Sequence, residues 1–449
     1  MPNIESTNSV SIERLFYEIS KDWFEKNGYE FVSPRRSEIY TAALVVWLSI
    51  FQRISGMPLQ GAAISVLNSD DIGFIAKLNT SSKKIKFGNV STNSGGFSQA
   101  KSRLEEEKIV DLVKACFEKL AAKTKQPKNA ENDLNIFLVD GTCFTTSYTA
   151  DNILTFKQTS AGEKGKLHFP RLRVVTANSL ETGLAVKPEF GEITESEQAL
   201  TWKIILSLPE DATVMGDRNF GVFSVAYRVI STGRDVLFRM NEAVFNRIVG
   251  EQSGERADIL ATWKPSKQDL KTTPEIPEAA SVEGRFIKIT VKKNGFRPEA
   301  IYYFTTLKIS AQKISELYLK RQRIETNIRQ LKEFLKLEFI NAKNPDMIKK
   351  EIYFGFLAFN LVTAIMYSVA KNIKLEFSRI SFTAALRLIL AFAPRINNAK
   401  TPEKIKDLFK KMETAFYQTK IAQRKNHRSF PREVKRNKSK FPLNATVSN

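Results

Sequence analysis

An α/β fold on one mixed sheet, with helical regions before and after it, is favoured by three features of the sequence. Short apolar runs at 134–142, 212–217 and 235–240 end in turn or charged residues, as buried strands do. Amphipathic stretches separate the later runs, which therefore need helical crossovers. The earlier runs are joined by short links and can pair antiparallel.

The elements follow in order. Ile12 to Trp23 places Ile12, Leu15, Phe16, Ile19 and Trp23 at helical spacing, and Thr41 to Ile54 is a strongly apolar helix. Asn79 to Phe97 is polar, carries Lys83, Lys84 and Lys86, and breaks at Gly95-Gly96. It reads as a loop leading into a helix over Ser98 to Lys108. Residues 1–108 are thus a helical unit, either a basic module for a polyanion or a packing domain with a solvated basic face. The sheet region, 109–240, holds strands at LNIFLVDGT, RLRVVTANSLE and TGLAVKPEFG, the last two separated by turn residues from Asn178 to Gly183. A helix over TESEQALTWKIILSL follows, with Thr194 and Glu197 at capping-box spacing. ATVMGDRNFG is a strand reaching Asp217, Gly221 to Ser231 a helix, and DVLFRM a fifth strand.

Residues 241–309 are rich in Pro, Lys, Ser and Gly. Their strand-like pieces, RFIKITVKK and AIYYFTTL, mark a mostly β insertion. The sheet region resumes at 310–375 with one long charged helix, Ser310 to Lys336, and an apolar helix, Pro345 to Asn372. Tyr353 to Ala370 is long and apolar enough to suggest a membrane span. Asn360, Ser368 and the charged KNPDMIKKE before it favour a buried core helix instead, so no membrane is expected. Residues 376–449 are helical with a basic tail between Lys420 and Lys440.

Composition narrows the chemistry. Sixty-nine Lys and Arg against 48 Asp and Glu give a formal charge of +21 over 449 residues. That excess favours a nucleic acid through counterion release. Two cysteines exclude a disulfide framework, and two histidines exclude a His-rich zinc site. Any metal is held by oxygen. The N-terminus lacks the basic start and apolar run of a signal peptide, so a cytoplasmic protein is expected.

Asp140 and Asp217 each fall just past an apolar strand, where sites gather in open α/β sheets. Facing carboxylates repel unless protons or cations lie between them, and oxygen ligands suit Mg²⁺ or Mn²⁺. Two turn aspartates capping loops would look the same. The long helix adds Tyr318, Arg321, Glu325 and Lys332, at gaps of 3, 4 and 7. On a straight helix these fall within about 60° of one another and span roughly 21 Å. A hydroxyl, two cations and a carboxylate in line suit successive phosphates, although Arg321 and Glu325 could simply pair on a solvated face.

The spacing Tyr-x2-Arg-x3-Glu-x6-Lys resembles the YREK signature of the insertion-sequence transposases usually called the IS-four family. FLVDGT around Asp140, VMGDRNFG around Asp217 and LKLEFINAKNPDMIKKEIYFGFLAFNLV after Glu325 agree with it. GFSQAKSRL and the SFPREVKRNKSKFP tail are also similar to that group. The resemblance covers about 130 to 375. It implies an RNase H-like catalytic core and a DNA-binding role for the helical N-terminal unit. Asp140, Asp217 and Glu325 are then the catalytic metal ligands, for Mg²⁺ or Mn²⁺ and for two ions. Tyr318, Arg321 and Lys332 hold the transposon end. The partners implied are double-stranded DNA, as transposon ends and target, and a second copy of the chain in the DNA complex. Some members of the family pass through a DNA hairpin, aided by an aromatic residue of the insertion; Trp263 and Phe296 are the candidates here. Two other functions compete. A structure-selective nuclease on the same fold would nick without joining, and a domesticated DNA-binding protein would do neither.

Overall fold

The computed structural model describes residues 11–27, 40–67, 94–125, 134–160, 165–291 and 299–422. Its centre is a nine-stranded mixed sheet. β1 (Asn135–Thr146) pairs antiparallel with β2 (Arg171–Ser179), and β2 with β3 (Glu189–Glu192). On its other side β1 runs parallel to β4 (Ala212–Gly216), which runs parallel to β5 (Asp235–Arg239). The order β3-β2-β1-β4-β5 is the mixed sheet of an RNase H-like core. Residues 180–188 join β2 to β3, but the short link expected between β1 and β2 is corrected: residues 147–170, with helix Ala150–Phe156, run between them. Helices Glu197–Ile205 and Phe223–Ser231 provide the crossovers that parallel strands require.

The 241–309 segment extends this sheet. β6 (Arg256–Trp263), β7 (Val282–Val291) and β8 (Glu299–Thr305) form an antiparallel meander, and β8 pairs with β5. Short β9 (Phe339–Ile340) pairs with the far end of β1.

Alternation along β1 feeds two layers. Ile136 and Leu138 join Met215, Leu237 and Ile287 beneath Ile314, Leu317 and Ile324 of the charged helical segment. Phe137 and Val139 face the larger core, which includes Leu200, Ile204 and the buried side of helix Pro345–Asn372. That helix has the length and apolarity of a membrane span, yet 94% of its most apolar stretch is buried inside the protein. N-terminal helices Ile12–Asn27 and Ala42–Ser55 contribute to the same core, as does Glu106–Thr124.

Several local expectations are corrected. Gly95 and Gly96 lie inside helix Ser94–Ser102, and residues 79–93 of the expected loop lie outside the described residues. The expected helix from Ser98 to Lys108 is two helices with a break at 103–105. The periodicity at Ile109, Leu112, Val113, Cys116, Phe117 and Leu120 carries the second on to Thr124. The TGLAVKPEFG strand shrinks to Glu189–Glu192, with Ala185 making one isolated bridge to Asn178. The cap after β3 is Ser196, whose hydroxyl accepts from Ala199 N–H at 3.1 Å; Thr194 turns to Glu192. The stretch Ser310 to Lys336 is not one α-helix. It passes from Ala311–Leu319 through a 3-10 turn (Lys320–Gln322) to Arg323–Arg329 and ends in a π-helical turn (Gln330–Phe334).

Candidate active site

β1 and β4 separate where their parallel pairing ends, at Leu138 and Met215. Two residues later on each strand come Asp140 and Asp217. Asp217 follows β4 directly, whereas Asp140 lies within β1, which runs on six residues with only β2, and later β9, beside it. The strand-end expectation for Asp140 is therefore corrected: the pairing ends there and the strand does not.

Backbone N–H groups hold both carboxylates. Asp140 Oδ1 accepts from Gly141 N–H at 2.8 Å, and Asp217 Oδ1 accepts from Asn219 N–H at 2.8 Å. The turn Asp217–Gly221 closes on itself, with Phe220 and Gly221 N–H both donating to the Asp217 carbonyl. Gly221 is required there, because a Cβ would strike the Arg239 carbonyl.

The helical segment brings the third acid. Arg321 Nη2 donates to Glu325 Oε1 at 2.7 Å, and Arg321 Nη1 stands 3.8 Å from Asp140 Oδ2. One guanidinium therefore bridges the first and third acids. Among the described residues, no group of three or more His, Cys, Asp and Glu is gathered as a metal cage. The expected straight alignment holds for part of its length. Tyr318 and Arg321 line an open cleft of about 560 Å³ with Asp217, Arg218, Asn219 and Arg239. Lys332 sits beyond that lining, in the π-helical turn. A 3-10 turn winds faster and a π turn slower than an α-helix, so the four residues do not keep a straight-helix projection.

Electrostatics mark Asp140 out. Burial, reinforced by the nearby charges of Asp217 and Glu197, pushes its carboxyl up to about 6, against the lowering effects of Gly141 N–H and Arg321. Burial also raises Tyr318 to about 12, so its hydroxyl is a donor at neutral pH and not a base. Such crowding of oxygen donors, partly relieved by one arginine, fits a site for hard divalent cations.

Other expectations resolve plainly. Trp263 is 1% exposed, packed among Phe223, Phe286 and Phe304, so no base can stack on it here. Phe296 lies outside the described residues, as does nearly all of the basic tail. His168 stacks on the exposed Tyr148 ring at 4.3 Å. Cys116 is buried and Cys143 half-buried, both free thiols. Glu197, expected only as a helix cap, instead reaches Asn219 and the backbone beside Asp140.

A mixed sheet that sets Asp140 and Asp217 where its parallel strands part is a frame suited to polynucleotidyl chemistry. Residues 131–361 match the family described as "Transposase DDE domain", and the chain belongs to that family, the DDE transposases. It is an enzyme of DNA transposition. Over 316 residues it is 22% identical to "Transposase InsG for insertion sequence element IS4" of Escherichia coli (strain K12), covering 69% of each chain. This agrees with the family resemblance carried by Tyr318, Arg321, Glu325 and Lys332. A solved structure, a piggyBac transposase synaptic complex with hairpin DNA, is similar over 89% of this chain and 84% of that one, with 8% identity and a TM-score of 0.43. DDE transposases use divalent metal ions and act on DNA.

Proposed function

We propose that this transposase binds the ends of its insertion sequence, hydrolyses a phosphodiester at each end and joins the freed 3′ ends to target DNA. Asp140, Asp217 and Glu325 are the catalytic acids, and the observation that carries this reading is the meeting of Asp140 and Glu325 on one guanidinium beside Asp217. These three would hold two Mg²⁺ or Mn²⁺ ions, which when bound supply activated water and charge for the leaving 3′ oxygen. Arg321 is a place-holding cation in the DNA-free chain. On binding an end it moves from Glu325 to a phosphate, the better partner for its planar fork. Tyr318 donates its hydroxyl to the same strand from the cleft, and Lys332 extends the contact along it. Catalysis rests on positioning and electrostatics, without a covalent protein intermediate. The basic tail and the helical N-terminal unit add phosphate contacts, and two copies bridge two ends on DNA in the cytoplasm.

Asp140→Asn tests this assignment. It keeps the side-chain shape and should abolish nicking of end DNA while leaving salt-sensitive end binding intact, as read by gel shift and denaturing gel. Cleavage at the wild-type rate would remove Asp140 from the mechanism.

A further inference from the structure

One residue outside the expected triad touches both aspartate neighbourhoods. Glu197, the first residue of helix Glu197–Ile205, accepts on Oε2 from Asn219 Nδ2 at 2.7 Å. Gln198 Nε2 donates to Asn219 O and Oδ1, each at 2.9 Å, and fixes that side chain's orientation. Asn219 N–H in turn holds Asp217 Oδ1. On its other side the Glu197 carboxyl fills the space over Gly141, where any Cβ would collide with it. Gly141 N–H holds Asp140 Oδ1. Arg173, at 3.9 Å, partly balances the added charge.

We propose that Glu197 is a positioning residue for DNA cleavage: through Gly141 and Asn219 it sets Asp140 and Asp217 relative to each other. The proposal rests on the assignment of those two aspartates as catalytic. A glutamate that merely favours a helix N-terminus would act through the macrodipole alone and would not need Asn219. The network explains two sequence choices together: glycine after Asp140 makes room for the carboxyl, and asparagine two residues after Asp217 supplies the donor.

The test compares Glu197→Ala, Glu197→Gln, Asn219→Ala and the double alanine variant with wild type and Asp140→Asn. Nicking of end DNA is followed against Mn²⁺ concentration, beside end binding and thermal melting. Groups that orient catalytic carboxylates typically contribute roughly 10- to 100-fold. Glu197→Ala and Asn219→Ala should each slow nicking at saturating DNA by that factor and raise the Mn²⁺ needed for half the maximal rate. End affinity should not change. Glu197→Gln, which retains an acceptor for Asn219, should be partly rescued, and the double variant should be no slower than the singles. Wild-type rates in both single alanine variants, or losses that multiply in the double, would overturn the proposal. If Glu197→Ala melts early, the exposed Asn219→Ala decides alone. Normal cutting by Asp140→Asn would instead refute the catalytic assignment beneath it.

Discussion

Asp140 carries a carboxyl that burial has raised from 3.8 to about 6. A raised value in the folded chain means stability that is complete below about 4 and lost as pH rises through about 6. Without metal, the ionised site is therefore a local liability at neutral pH, and a cation relieves it. If Asp140 holds the metal as proposed, the same proton competes with it, because a ligand must be deprotonated. Apparent Mn²⁺ affinity should thus fall by about tenfold per pH unit below about 6 and level off above it. Calorimetric titration between pH 5 and 7.5 measures this, and a flat profile would show that Asp140 does not bind the ion. The candidate residues could be picked from sequence because signature spacing and an Asp after an apolar run are local patterns, although Asp140 proves to lie within its strand. The link between Glu197 and Asn219, 22 residues apart, could not be, because it depends on how two crossovers meet.

The helical segment after Ser310 shows how element-level reading both succeeds and fails. Its apolar residues Ile314, Leu317 and Ile324 recur at helical spacing and dock on the sheet, as periodicity predicts. The 3-10 and π turns within it were not visible in that periodicity, which marks only the apolar face. Its end is fixed from outside. Leu337 packs on Gly355 of helix Pro345–Asn372, where a Cβ would meet Leu337 Cδ1 at 2.5 Å. Gly355→Ala should therefore destabilise the chain by about 1–3 kcal/mol through overpacking, although alanine is the better helix former. Urea unfolding checks this, and a stabilised variant would show that the contact relaxes freely. The capping-box misreading has a simple cause: Thr194 and Ser196 are both competent caps, and only the chain's path out of β3 selects the second.

At the scale of the whole molecule, the N-terminal helices are part of the catalytic body. Glu351, half-buried on helix Pro345–Asn372, accepts from Arg53 and Lys101. Arg53 continues to the carbonyls of Leu335 and Lys336, at 3.3 and 2.9 Å, just past the π-helical turn. Lys336, at a φ of 55°, returns a bond to the Gly56 carbonyl at 2.7 Å. Lys101 also lies over the Phe97 and Phe354 rings, so the GFSQAKSRL segment is anchored on helix Pro345–Asn372. These ion pairs hold Glu351 at about 2, against burial, which acts to raise it. Its contribution to stability is present above 4.5 and is lost as pH falls through about 2. Glu351→Ala leaves the buried Lys101 ammonium without its carboxylate and should destabilise the chain by about 3–5 kcal/mol, measured by urea unfolding at neutral pH. A loss near zero would mean that the cluster is solvated. That the sheet is mixed was readable from sequence, because its strands have local patterns; the order of its strands, with β8 beside β5, was not. This clamp was not, since it joins residues 53, 101 and 351 only after the core has formed.

On the proposed assignment, Asp140, Asp217 and Glu325 cut and join DNA with bound metal. The most direct measurement incubates wild type and Glu325→Gln with labelled element-end DNA and Mn²⁺ or Mg²⁺, and resolves nicked from joined products. Metal-dependent nicks and joined strands from wild type alone are the expected result. Cutting by Glu325→Gln at the wild-type rate, or salt-sensitive binding without cutting by either protein, would contradict it.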